Sequence, residues 1–72
     1  MTAGTARERL VAFLTAHPGA NFCDACVAKA VGIDPSTAYR AATRSTRTAG
    51  FVREYALCSG CGASRLVTRA VV

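Results

Sequence analysis

The chain has 72 residues, a formal net charge of +5 and an apolar fraction of 51% in which alanine is frequent. A chain this short predicts a single domain over residues 1–72, and folding hides only about 60% of the surface that the unfolded form exposes, so the core is small. No apolar run reaches the roughly 18 residues of a membrane span, and the first residues lack the pattern of a secretory signal. We therefore expect a soluble, cytoplasmic protein without a membrane partner, in which disulfides are disfavoured.

The positive charge is unevenly placed along the chain. Six of the nine cationic residues follow Asp34, where only Glu54 opposes them. They are Arg40, Arg44, Arg47, Arg53, Arg65 and Arg69. This distribution favours a polyanionic partner. Near the start of the chain, Arg7 and Arg9 are interpreted as ordinary surface residues.

A first helix is predicted over residues 5–17. Thr5 and Glu8 have the spacing of a capping box, in which each side chain accepts a hydrogen bond from the backbone amide of the other residue. The predicted inward face comprises Ala6, Leu10, Phe13, Leu14 and His17. Pro18 and Gly19 are expected to end this helix.

A brief strand at 20–22 and a second helix at about 24–31 are predicted next. Val27, Ala30 and Val31 are expected to face inward. Gly32 is placed to close the helix in the left-handed conformation, which glycine adopts without steric cost.

The third helix is predicted within residues 33–50. Asp34 supplies an N-cap and Pro35 stands at the first helical position. Helical spacing places Arg40, Arg44 and Arg47 on one face, with Ser36 and Thr43 beside them. The opposite face is predicted to consist of Ala38, Ala42, Ser45 and Ala49. The result is a helix with a basic, hydroxyl-bearing face and a back of small side chains.

Two segments rich in β-branched and aromatic residues, 51–57 and 63–72, flank a turn that contains glycine and two cysteines. This arrangement predicts a β-hairpin. The predicted order is therefore helix, short strand, helix, helix and β-hairpin, which is an α+β fold.

All four cysteines occur in two Cys-x-x-Cys pairs, Cys23 with Cys26 and Cys58 with Cys61. Two such pairs in a small intracellular chain indicate a metal site, and Zn²⁺ is the first choice because it takes four thiolates tetrahedrally. If the strand at 20–22 pairs antiparallel with the returning strand of the hairpin, the two pairs meet without threading the chain. Disulfides, iron and a redox dithiol remain as alternatives.

An enzyme is not expected. Four thiolates leave no open coordination position on a metal, and no Ser-His-Asp set can be assembled from the sequence. His17 is the only histidine. It could replace one cysteine as a ligand, but its place at the end of the first helix favours an interaction with the free carbonyls there.

Four short motifs succeed one another between residues 27 and 52. They are Val27-Ala28, Val31-Gly32-Ile33, Ser36-Thr37-Ala38-Tyr39-Arg40 and Ala49-Gly50-Phe51-Val52. In this order they resemble the winged helix-turn-helix domains of bacterial and phage transcriptional regulators. The sequence departs from that family where Ala42 and Ser45 stand in place of leucines, and where cysteines occupy the tip of the hairpin.

The resemblance implies that the third helix enters the major groove of double-stranded DNA and that the hairpin forms the wing. The DNA contacts that it implies on the helix are Ser36, Thr37, Tyr39, Arg40, Thr43, Arg44 and Arg47. From the hairpin, Arg65 and Arg69, or Arg53, are expected to meet phosphate. Arginine suits this role because it offers bidentate donors to guanine and phosphate.

The sequence thus predicts a small, zinc-stabilised transcriptional regulator that binds double-stranded DNA. A homodimer or a larger protein partner would add specificity, because a single module buries only about 600–1,000 Å² on DNA. The main alternative is a protein-interaction adaptor that uses the winged fold to dock onto a larger complex, with its arginines facing an acidic surface. Thiol-disulfide exchange is a third hypothesis.

Overall fold

The computed structural model describes residues 5–47 and 49–71. These residues form an α+β fold of three helices and a three-stranded antiparallel sheet, in the predicted order. The elements are α1 (Ala6–Ala16), β1 (Phe22–Cys23), α2 (Asp24–Val31), α3 (Pro35–Ser45), β2 (Phe51–Leu57) and β3 (Ser64–Ala70). Val72, the last residue of the predicted hairpin, lies outside the described residues. None of the described helices is long and apolar enough to cross a membrane.

The start of α1 confirms the predicted capping box. The Thr5 hydroxyl accepts from the Glu8 amide at 3.2 Å, and the Glu8 carboxylate accepts from the Thr5 amide at 2.9 Å. Leu10 and Leu14 are fully buried. His17 is the C-cap, and its amide donates to the Leu14 carbonyl at 3.1 Å.

The second helix has the predicted bounds, and Gly32 closes it in the left-handed conformation with φ 73°. Val27 is buried as predicted, but Ala30 is exposed and Ala28 is buried in its place. Ala28 and Ala30 lie about 80° to either side of the stripe that Val27 and Val31 define, so helical spacing alone does not choose between them. The prediction for Ala30 was therefore wrong.

Arg9 also differs from the prediction of an ordinary surface residue. Its guanidinium donates a hydrogen bond to the Val31 carbonyl at the end of α2. The last carbonyls of a helix have no partner within the helix, so this contact satisfies one of them and ties α1 to α2.

The third helix begins as predicted, with Asp34 as N-cap and Pro35 at the first helical position. It ends at Ser45, earlier than the helical wheel over residues 33–50 assumed, so Arg47 lies in the following turn and Ala49 is exposed. The reason lies in a hydroxyl side chain at this end. Thr46 donates to the Thr43 carbonyl at 2.9 Å, and the Arg47 amide, which would bond that carbonyl in a continued helix, donates to the Arg44 carbonyl instead.

The sheet has the order β1-β3-β2, so β3 is its central strand. The predicted antiparallel pairing of the short strand with the returning hairpin strand is confirmed, although β1 comprises Phe22 and Cys23 rather than residues 20–22. Phe22 is opposite Thr68 and Cys23 is opposite Val67. This pairing carries the chain from β1 toward the tip of the hairpin.

Buried side chains lie on both faces of this sheet, because successive residues of a strand point to opposite sides. On one face, Ala70 joins the helical core, which also comprises Leu10, Leu14, Val27, Ala41 and Ala42. On the other face, Val67 packs with Cys23 and Cys58. The protein therefore has two buried clusters that share the strand β3.

Candidate metal centre and candidate nucleic-acid surface

The four cysteines come together at the tip of the hairpin. Cys23 ends β1 and caps α2, and Cys26 lies in the first turn of that helix. Cys58 and Cys61 lie in the turn between β2 and β3. All four sulfur atoms lie within 4.8 Å of one another. The predicted meeting of the two pairs is confirmed.

The spacing of the sulfur atoms fits a tetrahedral metal site. The Sγ atoms of Cys23 and Cys61 are 3.9 Å apart, and those of Cys26 and Cys58 are 3.6 Å apart. Four sulfurs bound at about 2.3 Å to one tetrahedral ion stand about 3.8 Å from each other. The four cysteines are free, and these distances are far longer than the roughly 2.05 Å of a disulfide bond. The cluster could therefore bind one metal ion with four sulfur ligands.

Backbone amides point at the most buried sulfur of the hairpin pair. The Cys58 Sγ accepts from the Cys23 amide at 3.2 Å and from the Gly60 amide at 3.3 Å. Burial by itself would raise the pKa of Cys58, but hydrogen bonds from the Cys23, Cys61 and Gly60 amides and from the Cys26 thiol lower it to about 6. Such bonds stabilise the thiolate, which is the form that binds metal.

The Cys26 thiol is affected in the opposite direction. Burial, followed by hydrogen bonding to the other three sulfurs and the charge of Cys23, raises its pKa to about 12. Sulfurs this close compete for protons, because neighbouring negative charges repel one another. A bound cation removes that competition, and its binding releases the protons.

Two glycines shape the hairpin turn for different reasons. A Cβ atom at Gly60 would lie 2.9 Å from the Cys26 Sγ and 3.2 Å from the Cys26 Cβ, so no larger residue fits without moving a ligand. Gly62 has φ 74°, a conformation that residues with a side chain rarely adopt, yet a Cβ there meets nothing within 4 Å. The two glycines of this cysteine pair therefore answer to two separate constraints, a close contact at Gly60 and a left-handed backbone at Gly62.

His17 does not belong to the cysteine cluster. Its ring lies 4.9 Å from the Phe13 ring and 5.8 Å from the Phe22 ring, and the two phenylalanine rings are themselves 4.9 Å apart. These centroid distances are those of stacked or edge-to-face aromatic pairs. Sequence reasoning placed His17 at the helix end correctly but did not anticipate this aromatic group.

Most of the predicted nucleic-acid contacts occupy one exposed side of α3. Arg40 and Arg44 are exposed on the helix, Tyr39 is 52% exposed, and Arg47 is exposed in the turn that follows. The opposite side of α3 is buried through Ala38, Ala41, Ala42 and Ser45. The structure therefore separates a basic outer face from a back of small residues, as predicted.

The hydroxyl groups on α3 already have partners. Thr37 donates to the Asp34 carboxylate at 2.9 Å, and Ser36 lies 3.5 Å from the same oxygen. Thr43 donates to the Tyr39 carbonyl at 2.9 Å. The predicted N-cap thus holds side-chain hydroxyls of the first turn instead of a backbone amide.

Arg53 is not part of the exposed basic face. Its guanidinium forms two hydrogen bonds of 2.9 Å with the Asp24 carboxylate and one of 2.8 Å with the Thr68 hydroxyl. Its side chain is only 10% exposed, and it lies 5.3 Å from the centre of the Tyr39 ring. Arg53 therefore joins α2, α3 and the sheet, and this position disfavours the DNA contact that was predicted for it.

The other two hairpin arginines differ from each other. Arg69 is paired with Glu54 across the sheet, whereas Arg65 is exposed near the start of β3, beside the hairpin turn. Among the described residues no acid is paired with Arg65, so its cation can reach a partner, whereas Glu54 competes for that of Arg69.

Sequence reasoning missed the network around Arg53. Asp24 and Arg53 are 29 residues apart, and Arg53 and Thr68 are 15 apart. No periodic signal links residues at such separations. Only the contact between Arg53 and Thr68 could have been inferred, because the pairing of β2 with β3 places these two residues opposite each other.

Comparison of the chain with protein-family models, with curated proteins and with solved structures gives no match.

Proposed function

We propose that the protein is a zinc-stabilised winged helix-turn-helix protein that binds double-stranded DNA in a sequence-specific manner, as a small transcriptional regulator of the cytoplasm. The observation that carries this proposal is the exposed arginine face of α3, behind which the helix is packed on alanines. The buried face of such a helix packs against the rest of the protein, while its exposed side chains can enter a major groove.

The connection between α2 and α3 supports a helix-turn-helix. The two helices are joined by the short turn 32–34, which contains Gly32 in the left-handed conformation. A turn of three or four residues with glycine is typical of this motif. The β2-β3 hairpin follows α3 directly, in the position that a wing occupies.

The proposed contacts fall into two groups. Arg40 and Arg44 are the main candidates for bases and phosphates, because no acidic group of the described residues is paired with them. Arg47 and Tyr39 extend this surface along α3, and Arg65 offers one cation from the hairpin.

The hydroxyl residues of α3 are expected to contribute less to DNA affinity than the arginines. They are Ser36, Thr37 and Thr43. Asp34 holds the hydroxyl hydrogen of Thr37, and its negative charge repels a phosphate brought to the start of α3. We propose that contacts at this end go to base edges, where a carboxylate can accept from the amino group of cytosine.

Zn²⁺ is the proposed ion because it binds four thiolates tetrahedrally without redox chemistry. Cys23, Cys26, Cys58 and Cys61 would be its ligands. Since four ligands complete its coordination, the role is structural: it would fasten the start of α2 to the hairpin.

An amide NMR titration of the zinc-loaded protein with a mixed-sequence DNA duplex tests the DNA-binding proposal. We expect shifts concentrated in residues 36–47 and at Arg65. The shifts should weaken as salt is raised, because binding releases counterions from the DNA and added salt opposes that release. Arg40→Ala or Arg44→Ala should cost about 1–3 kcal/mol if the residue contacts a base. Equal affinity of wild type and both variants would contradict the proposed face.

A second candidate, the protein-interaction adaptor, is favoured by one observation on β2. Tyr55 and Leu57 are 80% and 65% exposed, and β2 is an outer strand of the sheet. Exposed apolar side chains on an edge strand suit a protein partner. Absence of any duplex-induced shift at low salt, with co-purification of a protein that Tyr55→Ser abolishes, would favour this function.

A further inference from the structure

A groove runs between the first turn of α1 and the outer face of α3. Its volume is about 680 Å³. Its charged lining comprises Arg7 and Glu8 from α1, and Arg40 and Arg44 from α3. Arg7, interpreted from the sequence as ordinary surface, thus shares one groove with two arginines of the proposed DNA-binding face.

The groove carries a net positive charge, because three arginines line it together with a single acid, Glu8. Asp24 is paired with Arg53, and Glu54 is paired with Arg69. Glu8, the acid that lines the groove, accepts from the Thr5 amide in the capping box. Three cationic side chains therefore face one carboxylate, which a backbone hydrogen bond already holds.

The remaining acid, Asp34, is also engaged, since its carboxylate accepts from the Thr37 hydroxyl. It does not line the groove. Neither acid in this part of the molecule is paired with Arg7, Arg40 or Arg44 among the described residues. Such a set of guanidinium groups recognises an anion with several oxygen atoms that can each accept a hydrogen bond, such as a phosphate.

We propose that this groove receives the phosphate backbone of the DNA duplex, with Arg7 as a phosphate contact on one side and Arg40 and Arg44 on the other. The inference rests on the proposed function and adds α1 to its interface. Arg7 and α3 would then hold one DNA strand between them, which fixes the angle at which α3 enters the major groove. Phosphate contacts of this kind set register and orientation and carry no sequence information themselves.

The test compares wild type with Arg7→Gln in their binding to a mixed-sequence DNA duplex over a series of salt concentrations. Loss of one phosphate contact should weaken binding about equally for all duplex sequences and reduce the slope of log K against log salt by about 1. Arg7→Lys should restore the slope, because a lysine keeps the charge. Lys29→Gln is the matched control, since Lys29 is an exposed cation on α2 that does not line the groove.

The outcomes separate this inference from the function on which it rests. A slope that is unchanged in Arg7→Gln while Arg40→Ala loses affinity would overturn the role of Arg7 and leave DNA binding by α3 intact. An equal loss of slope in Lys29→Gln would also overturn it, because the effect would then be one of net charge. If wild type itself fails to bind duplex, the proposed function and this inference both fall.

Discussion

The helical core and the cysteine cluster stabilise the same small protein by different means. The helical core buries aliphatic side chains from all three helices and from β3, with Leu10 and Leu14 fully buried. The cysteine cluster buries Cys23, Cys58 and Val67 and directs backbone amides at sulfur. The first depends on area removed from water, whereas the second, under the proposed metal binding, would depend on a cation that neutralises four sulfur groups.

The two regions also differ in why neither is expected to stabilise the fold alone. Alanine supplies most of the buried residues of α3, and an alanine buries little area. The helical core is therefore modest for its number of residues. The cysteine cluster holds sulfurs at 3.6–3.9 Å, and four thiolates at that spacing would repel one another without a cation. Neither region should be stable without the other. Two experiments test this dependence, and a third tests how the hairpin glycines position the cysteines.

Metal removal should have the largest effect. We expect a strong chelator to unfold the whole chain, because the free energy of binding zinc to four cysteines is a large part of the free energy of folding in small domains. Loss of amide dispersion in the NMR spectrum, restored by adding Zn²⁺, is the measurement. An apoprotein that keeps the dispersed signals of Leu10 and Leu14 would show that the helical core suffices.

Leu14→Ala tests the dependence in the other direction. Removing a fully buried leucine should cost about 2–5 kcal/mol, through lost burial and the cavity that is left. The variant should then need a higher free Zn²⁺ concentration to fold, because binding and folding are linked. Co²⁺ substituted for Zn²⁺ reports tetrahedral sulfur coordination by its visible spectrum. Half-saturation at the wild-type Co²⁺ concentration would contradict the linkage.

Gly60→Ala and Gly62→Ala should have smaller effects that differ in kind. At Gly60 the added Cβ meets the Cys26 sulfur, so we expect about 1–3 kcal/mol of destabilisation together with a changed Co²⁺ spectrum. At Gly62 the cost is backbone strain of roughly 1–2 kcal/mol, with the spectrum unchanged. Gly19→Ala is the control for strain far from the cluster, since Gly19 has φ 80° and open space around it.

An unaltered Co²⁺ spectrum in Gly60→Ala would show that the turn adjusts without moving Cys26. A spectrum altered as strongly in Gly62→Ala as in Gly60→Ala would mean that backbone strain, and not the contact with sulfur, perturbs the ligands. Either result would revise the account of why glycine stands beside this cysteine pair.

Features set by neighbouring residues were predictable from the sequence. The capping box of Thr5 and Glu8, the left-handed Gly32 and the N-cap at Asp34 all depend on spacings of a few residues. The cysteine cluster was also predictable, although it joins distant segments, because metal ligation by Cys-x-x-Cys pairs leaves few alternatives.

Features set by tertiary packing were not predictable. The choice of Ala28 over Ala30 depends on where neighbouring elements lie. The ion pair of Arg53 with Asp24 requires the sheet and α2 to be assembled already. The predicted site was least accurate at this arginine, because a cation in a hairpin sequence gives no sign of whether it faces solvent or an acid.

The central position of β3 has a consequence for the order of events during synthesis. This strand pairs with both β1 and β2 and contributes to both buried clusters, yet it is translated after all the other described elements. While the ribosome still holds β3, the helices can form locally, but Cys23 has no Val67 to pair with and β2 has no neighbour. The sheet can therefore close only once β3 emerges, and under the proposed metal binding the ion would be captured in the same late step.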